Sequence, residues 1–359
     1  TGNPFSTGNP FSPAVASYGA PGTGGRQPVA YIGPAPRRSE TVPGRRPVVA
    51  ILDSGCASHP WLTEAVDETV TLDGHPIGHT DPMTDAEEHP DQSGPLDGAI
   101  DTYAGHGTFI AGLIHQACPD ADILSWRITP SAGPILESDI IDALSDIAEL
   151  ACRHREGRAG GHPIDVLSLS FSYYHETPDD ELFDARIYEP LRRLGEHGVA
   201  VICSAGNDST MRPAYPAALA PWKNGAGRVQ AEPGVVPIVS VGALNPNGSD
   251  ALFSNAGEWV RARTPGAALL STSPPFQGGY QPMSQTVVEG RVRQSIDPDD
   301  FTSGFALWSG TSFSAPLFAG WLAAHLDVID PDDDESATAV KRMWSSIAAG
   351  TDIEAPPGV

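Results

Sequence analysis

One serine stands where its hydroxyl could act as a nucleophile. Ser312 lies within residues 309–316, SGTSFSAP, directly ahead of an apolar run that extends to Leu326. This run is apolar on nearly every face, which predicts a helix that is buried on all sides and has Ser312 at its N-terminus. There the hydroxyl would face the positive end of the helix dipole, and Pro316 would fall in the first turn, where its missing N–H costs no hydrogen bond. The competing interpretation is that Ser312 only caps the helix, because serine is a preferred N-cap residue.

Three other residues could supply the base, the orienting carboxylate and the oxyanion donor that an activated serine requires. His106 lies between two glycines, immediately before an apolar helical pattern. Asp53 ends the apolar run 48–52, and the carboxyl end of a buried parallel strand is where open α/β sheets place their sites. Asn207 follows a similar run, 199–203, and its amide could donate a hydrogen bond to developing negative charge. Together the four residues predict acyl transfer.

These residues and their neighbours resemble the motifs of the subtilisin-like serine proteases. The matching segments are Asp53-Ser54-Gly55, His106-Gly107-Thr108 with Ala111-Gly112, Ala205-Gly206-Asn207, and Gly310-Thr311-Ser312 with Ala315-Pro316. Their order along the chain is that of subtilisin and differs from the orders in chymotrypsin and in α/β-hydrolases. The resemblance covers residues 48 to 345. It implies an α/β, three-layer subtilisin-like fold with a central, mostly parallel sheet and a buried helix that carries the nucleophile.

The resemblance also implies a set of substrate-binding residues. Residues 166–172 are similar to the family strand that pairs with the substrate backbone, and Ser172 replaces its glycine, which adds a side chain beside the S1 pocket. Residues 214–217 resemble the segment behind that pocket, where the family carries a cis-proline. The candidates for substrate contact are Ser170, Phe171, Ser172, Gly133, Ser204, Ala205 and Gly206.

The elements between these motifs alternate in the way a parallel sheet requires. Apolar runs at 123–128, 165–172, 199–204 and 238–243 predict strands, and helical patterns at 139–152 and 180–197 predict crossover helices. With 359 residues and 40% hydrophobic content, the chain can bury a large core, so we expect one catalytic domain with appendages.

The predicted domains are an arm at 1–47, a catalytic domain at 48–346 and a tail at 347–359. The arm holds nine prolines and eight glycines without apolar periodicity, which favours an extended segment. It begins with a tandem repeat, TGNPFS, at residues 1–12. One hypothesis is that the arm packs across the catalytic domain and that its repeat is a processed or self-recognised segment. The alternative is a disordered linker.

Acidic residues are concentrated between the aspartate and histidine motifs. Residues 47–126 contain fourteen Asp and Glu and no Lys or Arg, which is more than half of the net charge of −24. A solvated surface loop is one interpretation, and a structural calcium ion is the other, since hard cations take carboxylate oxygens. The sequence assigns no ligands, and the predicted chemistry requires no cofactor. We expect no nucleic-acid partner.

Cysteine content and hydropathy bear on the compartment. The four cysteines lack metal-type spacing, and each is expected to be a small buried hydrophobe, with a Cys118–Cys152 disulfide as the alternative. No apolar run reaches the length of a membrane span, and the first residues lack a signal-peptide pattern. The sequence leaves both a cytoplasmic and a secreted location open.

The function that the sequence favours is a serine endopeptidase, a hydrolase acting on polypeptides. A peptide ligase or macrocyclase and a peptide-maturation protease would use the same triad, and a non-catalytic peptide-binding scaffold is the alternative outside enzymology. Asp208 directly follows the oxyanion candidate. Its position and the acidic net charge predict a preference for basic residues near the cleavage site. The alternative is that Asp208 is merely solvated.

Overall fold

The computed structural model describes residues 25–93, 96–131, 133–175, 181–332 and 334–358. Within these ranges the strands are β1 (Gln27–Pro28), β2 (Val48–Asp53), β3 (Val66–Asp67), β4 (Thr71–Leu72), β5 (His75–Pro76), β6 (Asp122–Arg127), β7 (Val166–Leu169), β8 (Ala200–Ser204), β9 (Val239–Leu244), β10 (Ala262–Pro265), β11 (Leu269–Thr272), β12 (Gln285–Val288), β13 (Arg291–Gln294) and β14 (Phe305–Trp308). The α-helices are α1 (His106–Ala117), α2 (Glu137–Arg155), α3 (Glu181–Glu196), α4 (Thr311–Ala324) and α5 (Ser336–Gly350). Two short 3₁₀ helices lie at Pro82–Thr84 and Ala217–Leu219.

A parallel sheet forms the middle layer, with strand order β10-β9-β8-β7-β2-β6-β3. Its central strands are buried on both faces, as expected when helices cover both sides of a sheet. In β2, Val49 and Ile51 pack in one core with α1, α4 and α5. Val48, Ala50 and Leu52 point to the other core, which contains α2 and α3. The predicted three-layer α/β fold is therefore confirmed.

Helix α4 runs through the core, as its apolar sequence predicts, but its start differs from the expectation. The helix begins at Thr311 after Gly310, so Ser312 is the second helical residue and not the cap. Pro316 is consequently the sixth residue and lies beyond the first turn. Its missing N–H leaves the carbonyl of Ser312 without the usual i+4 donor. The Ser170 hydroxyl takes that place, because it donates to the Ser312 carbonyl oxygen at 2.8 Å.

The described part of the arm, residues 25–47, runs along the rest of the molecule. Its strand β1 pairs antiparallel with β14 and joins the small sheet β1-β14-β11. The Arg26 guanidinium lies over the Trp308 ring, 4.5 Å from its centroid, and burial lowers its pKa to about 10. The repeat at 1–12 lies outside the described residues. At the other end of the chain, α5 continues to Gly350, past the domain end predicted at residue 346.

Several local features bear on the sequence analysis. The four cysteines are buried and free, so the alternative of a Cys118–Cys152 disulfide is not realised. The Tyr215–Pro216 peptide bond is cis, as the family resemblance implies. None of the described helices is both long and apolar enough to cross a lipid bilayer.

A buried ion-pair network connects the predicted arm to the rest of the described chain. Arg45 donates to Asp165 at 2.7 and 2.8 Å and to Asp334 at 2.6 and 2.9 Å. Arg155, at the end of α2, contacts both aspartates, and Arg342 on α5 donates to Asp334 at 2.7 Å. Burial by itself would raise the pKa of each aspartate, but the hydrogen bonds and the arginine charges outweigh burial and lower both pKa values.

Replacing Asp334 with asparagine should therefore destabilise the fold. Asp334→Asn leaves three guanidinium groups without their shared carboxylate, and we expect the free energy of unfolding at pH 7 to fall by about 3–5 kcal/mol. The folded-state pKa of Asp334 is lowered, so its contribution is present above the unfolded pKa of about 3.9 and is lost as the pH falls below that value. Urea unfolding at pH 7 and at about pH 3 measures both effects.

The exposed neighbour Asp332 supplies the matched control. Asp332→Asn should change the unfolding free energy by less than about 0.5 kcal/mol. If Asp334→Asn costs no more than this control, or costs the same at both pH values, the network does not hold the arm in the way described.

Candidate active site

Asp53 and His106 form the buried centre of the site. The imidazole Nδ1 lies 2.7 Å from Asp53 Oδ1, and both side chains are almost fully buried. Asp53 ends β2, and the backbone N–H of Ser54 donates to the same Oδ1 at 2.8 Å. Asp53 Oδ2 has no hydrogen-bond donor among the described residues. The carboxylate thus holds the imidazole through one oxygen, and this fixes the ring orientation.

His106 is the first residue of α1, and aromatic rings surround its imidazole. The Phe313 ring centroid lies 5.2 Å away and that of Trp308 5.6 Å away. Because Phe313 directly follows Ser312, this packing sets the first turn of α4 against the first turn of α1. The structure therefore brings Asp53, His106 and the Ser312 segment together.

Ser312 itself is buried at the start of α4. Its hydroxyl lies 3.4 Å from the carbonyl oxygen of Ser170, which follows β7. In the opposite direction, the Ser170 hydroxyl bonds to the Ser312 carbonyl, as described above. These reciprocal contacts fix the first turn of α4 to the carboxyl end of β7.

Asn207 lies beside the same turn of α4. Its Oδ1 accepts hydrogen bonds from the Thr311 backbone N–H at 2.8 Å and from the Thr311 hydroxyl at 2.9 Å. A backbone N–H can only donate, so these bonds identify Oδ1 as the acceptor and orient the amide. The opposite end of the amide, the NH₂ group, lies close to Gly310, the residue before the helix.

Asn255, which the sequence analysis did not identify, holds the loop that carries Asn207. Its Oδ1 accepts from the backbone N–H groups of Asp208 and Thr210, and its Nδ2 donates to the Ala205 carbonyl at 2.9 Å. Gly206, with a φ of 96°, passes so close to Asn255 that a Cβ atom would lie 2.4 Å from Nδ2. Sequence alone gave no signal for Asn255, because it is far along the chain and belongs to none of the motifs.

The expected substrate-binding residues fall into two groups. Ser170, Phe171 and Ser172 follow β7 and are buried, and Ser204, Ala205 and Gly206 lead from β8 to Asn207. Gly133 lies elsewhere, in irregular backbone with a φ of 90°, where an added Cβ would overlap the Tyr103 ring. Tyr103 in turn stands beside His106, with ring centroids 6.2 Å apart. Gly133 therefore lies near His106 through Tyr103, Ser170 contacts Ser312, and residues 204–206 lead directly to Asn207.

A second buried carboxylate, Glu87, lies beside the aspartate and histidine motifs. Its Oε2 accepts from the Thr108 hydroxyl, and its Oε1 lies within hydrogen-bond distance of Ser54 Oγ. Burial raises the pKa of Glu87 to about 8, and the hydrogen bonds from Ser54 and Thr108 oppose the shift only in part. In the sequence Glu87 is one of the fourteen acidic residues within positions 47–126, and nothing in its neighbours marks it as buried.

Within the described residues, no three side chains of the acidic segment converge as potential metal ligands. Many of its aspartates instead accept hydrogen bonds from backbone N–H groups two to nine positions away along the chain; these are Asp67, Asp81, Asp85, Asp91, Asp97 and Asp101. Across the described chain, the only convergent group of three potential ligands is Cys152, Glu156 and His197. The Arg158 guanidinium lies 3.2 Å from Cys152 Sγ, and a cation at that position disfavours a metal ion.

Comparison with known proteins identifies relatives among serine proteases. The chain is 25% identical over 295 residues to "Intracellular serine protease" of Paenibacillus polymyxa, which covers 78% of this chain and 66% of the relative. It is 24% identical over 334 residues to "Serine protease AprX" of Bacillus subtilis, which covers 88% of this chain and 63% of the relative. The chain thus spans less than two thirds of the length of each of these relatives.

Two solved structures share the fold. A lanthipeptide protease superimposes with a TM-score of 0.52 at 21% identity, covering 82% of this chain and 77% of the other. A cold-adapted subtilisin-like serine proteinase superimposes with the same TM-score at 16% identity, covering 88% and 86%. At these identities the similarity establishes the architecture.

The family assignment comes from the sequence match as a whole. The model of the subtilase family matches residues 44–346, which is well over half of the chain and contains each of the four motifs. The chain therefore belongs to the subtilase family.

Proposed function

We propose that the chain is a serine endopeptidase that hydrolyses peptide bonds with Ser312 as nucleophile. The observation that carries the proposal is the buried hydrogen bond of 2.7 Å between His106 and Asp53, next to a serine at the start of a core helix. Its membership of the subtilase family supports the same reaction. The proposed chemistry uses only protein groups.

The roles follow from the hydrogen bonds. Nδ1 of His106 donates to Asp53, so the lone pair of the neutral imidazole is on Nε2, which can accept the Ser312 proton as the hydroxyl attacks a peptide carbonyl. The resulting imidazolium then gives this proton to the leaving amine. The negative charge of Asp53 stabilises the imidazolium in between.

The oxyanion would bind between Asn207 and the first turn of α4. The Asn207 amide is oriented by Thr311, and its NH₂ group can donate to the negative oxygen of the tetrahedral intermediate. The backbone N–H of Ser312 would be the second donor. Donors that are fixed before the reaction begins are effective because they need not reorganise as charge develops.

Substitution of these residues tests the assignment. Ser312→Ala and His106→Ala should each lower kcat by roughly 10⁶, whereas Asn207→Ala should lower it by roughly 10²–10³, the scale of losses in subtilisin itself. Active-site titration and initial rates on a peptide library measure these losses. Activity that survives Ser312→Ala, or equal losses for all three variants, would contradict the assignment.

Product analysis separates hydrolysis from the other reactions that the same triad serves. Mass spectrometry of peptides incubated with wild-type and Ser312→Ala proteins should show cleaved products that carry the added mass of water, and only with the wild type. Ligated or cyclised products would indicate that an amine, and not water, takes the acyl group. Binding without any product would indicate a peptide-binding scaffold.

Asp208 gives the proposed substrate preference a structural basis. It follows Asn207, is half-buried, and accepts a hydrogen bond of 2.7 Å from the Tyr174 hydroxyl. Tyr174 stands just beyond Ser172, so the carboxylate lies between the two segments that we assign to substrate binding. We propose that Asp208 favours Lys and Arg near the cleavage site, and that Tyr174 limits this preference by occupying one carboxylate oxygen.

Cleavage profiling of two variants tests this preference. Asp208→Asn should lower kcat/KM for basic substrates by roughly two- to fivefold, the scale of a partly exposed ion pair, and Tyr174→Phe should raise it because the carboxylate is released. Both changes should shrink at high ionic strength. A wild-type cleavage profile without enrichment of Lys or Arg, and without salt dependence, would contradict this substrate preference.

The arm is also proposed to be an integral part of the enzyme. The support comes from residues 25–47, where Arg26, β1 and Arg45 all contact the catalytic domain. Deleting residues 1–33 should lower the melting temperature because β1 and the Arg26 contacts are lost, and deleting residues 1–24 tests the segment that carries the repeat while β1 and Arg26 are kept. If the shorter deletion changes neither melting temperature nor activity, and limited proteolysis removes residues 1–24 at once, the repeat has no docked role.

A further inference from the structure

Glu87 occupies a buried position between the two motifs that carry Asp53 and His106. It follows the 3₁₀ helix Pro82–Thr84 and is 3% exposed. One carboxyl oxygen accepts the Thr108 hydroxyl hydrogen, and the Ala57 backbone N–H donates to that hydroxyl at 2.7 Å. The other oxygen lies at Ser54 Oγ and also 3.2 Å from the Gly107 nitrogen. Glu87 therefore touches the residue after Asp53 and the residue after His106.

The Ser54 hydroxyl lies between the carboxyl groups of Asp53 and Glu87. Its Oγ accepts from the Gly107 N–H at 2.8 Å, and it lies 3.2 Å from Asp53 Oδ1 as well as beside Glu87 Oε1. A hydroxyl has one hydrogen and two acceptor lone pairs. If both carboxyl groups were ionised, this single hydrogen could serve only one of the two negative oxygens, and the other would face a lone pair of Ser54 Oγ in a buried site.

A proton on Glu87 removes this conflict at Ser54 Oγ. Glu87 then donates to Ser54 Oγ, Gly107 donates to the second lone pair, and the Ser54 hydrogen is left for Asp53. We propose that Glu87 is a positioning residue that donates a hydrogen bond to Ser54 and thereby directs the Ser54 hydroxyl to Asp53. This inference rests on the proposed function, because its effect on catalysis passes through Asp53.

The surroundings of Glu87 favour its neutral form. Two neighbouring arginines direct their guanidinium nitrogens to backbone carbonyl groups. Arg26 donates to the carbonyl groups of Ala104 and Asp101. Arg127 donates to those of Thr84 and Asp81. Burial raises the pKa of Glu87 to about 8, and the charges of Asp53 and Asp85 act in the same direction. The charged and titratable groups that face Glu87 are Asp53 at the end of β2, Cys56 in the loop that follows, Asp85 on the same segment as Glu87, His106 on α1, Arg127 on β6 and Arg26 on the arm.

Two side chains of about the same size as Glu87 distinguish a positioning role from a role that only fills the buried volume. Glu87→Gln keeps a donor for Ser54 and an acceptor for Thr108, so it should retain kcat within about threefold. Glu87→Met keeps the volume but loses both, and should lower kcat by roughly 10- to 100-fold with KM within twofold, since misplacing the base slows the chemical step. The exposed neighbour Glu88 supplies the control. Glu88→Gln should leave both kcat and KM unchanged. Thermal unfolding of each variant confirms that it is folded.

A double-substitution cycle tests whether Glu87 acts through Ser54. In a Ser54→Ala background, Glu87→Met should lower kcat by less than twofold further, because the connecting hydroxyl is already gone. If the two losses multiply, or if Glu87→Gln is as slow as Glu87→Met, Glu87 does not position Asp53 through Ser54.

The protonation of Glu87 can be followed with and without turnover. The ratio of the wild-type kcat to the Glu87→Gln kcat should be constant up to about pH 7. It should change through about pH 8, because only the wild type has a carboxyl group at position 87 that becomes charged. ¹³C NMR of the Ser312→Ala protein should show the Glu87 carboxyl carbon titrating near pH 8. Its signal is assigned by its absence from the spectrum of the Glu87→Gln variant. Titration below pH 5, or a ratio that is flat to pH 9, would overturn the inference. Absence of Ser312-dependent cleavage would instead reject the proposed function and leave the NMR result to decide the state of Glu87.

Discussion

The candidate site depends on the parallel pairing of three adjacent strands. β2, β7 and β8 lie side by side in register, with Ile51 opposite Ser168 and Leu169 opposite Cys203. Parallel strands end at the same edge of a sheet, so Asp53, Ser170 and the loop to Asn207 emerge together. Helix α4 then packs beneath this edge and brings Ser312 to it. A shift in register would separate these groups although each local motif stayed intact.

Sequence predicted the parts of the fold that are written in local patterns. Strands buried on both faces give continuous apolar runs, and α2 and α4 show their helical patterns clearly, so their existence and order were predictable. The residues at which the helices and strands begin and end were less predictable. The expected helix at 139–152 extends over Glu137–Arg155, and Thr311 begins α4 because its backbone N–H bonds to Asn207, 104 residues away. Long-range contacts of this kind leave no trace in the local sequence.

The same limit applies to the site. Asp53, His106, Asn207 and Ser312 could be proposed from the sequence because each stands at or near the end of an element and within a short motif. Asn255 and Glu87 have neither signal, yet they hold the Asn207 loop and bridge the two motifs of the buried pair. Pro316 was expected in the first turn of the helix, and its actual position beyond that turn has a structural consequence. Its missing N–H exposes a carbonyl, and the Ser170 hydroxyl uses that carbonyl to connect α4 to β7.

The bond between Arg45 and Asp334 joins residues 289 positions apart, and it closes nearly the whole chain into one loop. Contacts of such large sequence separation are costly in chain entropy and tend to form late in folding. Ser312 also comes from the last part of the chain, whereas Asp53 comes from the first. A ribosome-bound chain that has emerged only as far as α3 would already carry Asp53 and His106 but not Ser312, the proposed nucleophile. Under the proposed function, order of synthesis alone would keep an incomplete chain from cleaving itself or its neighbours.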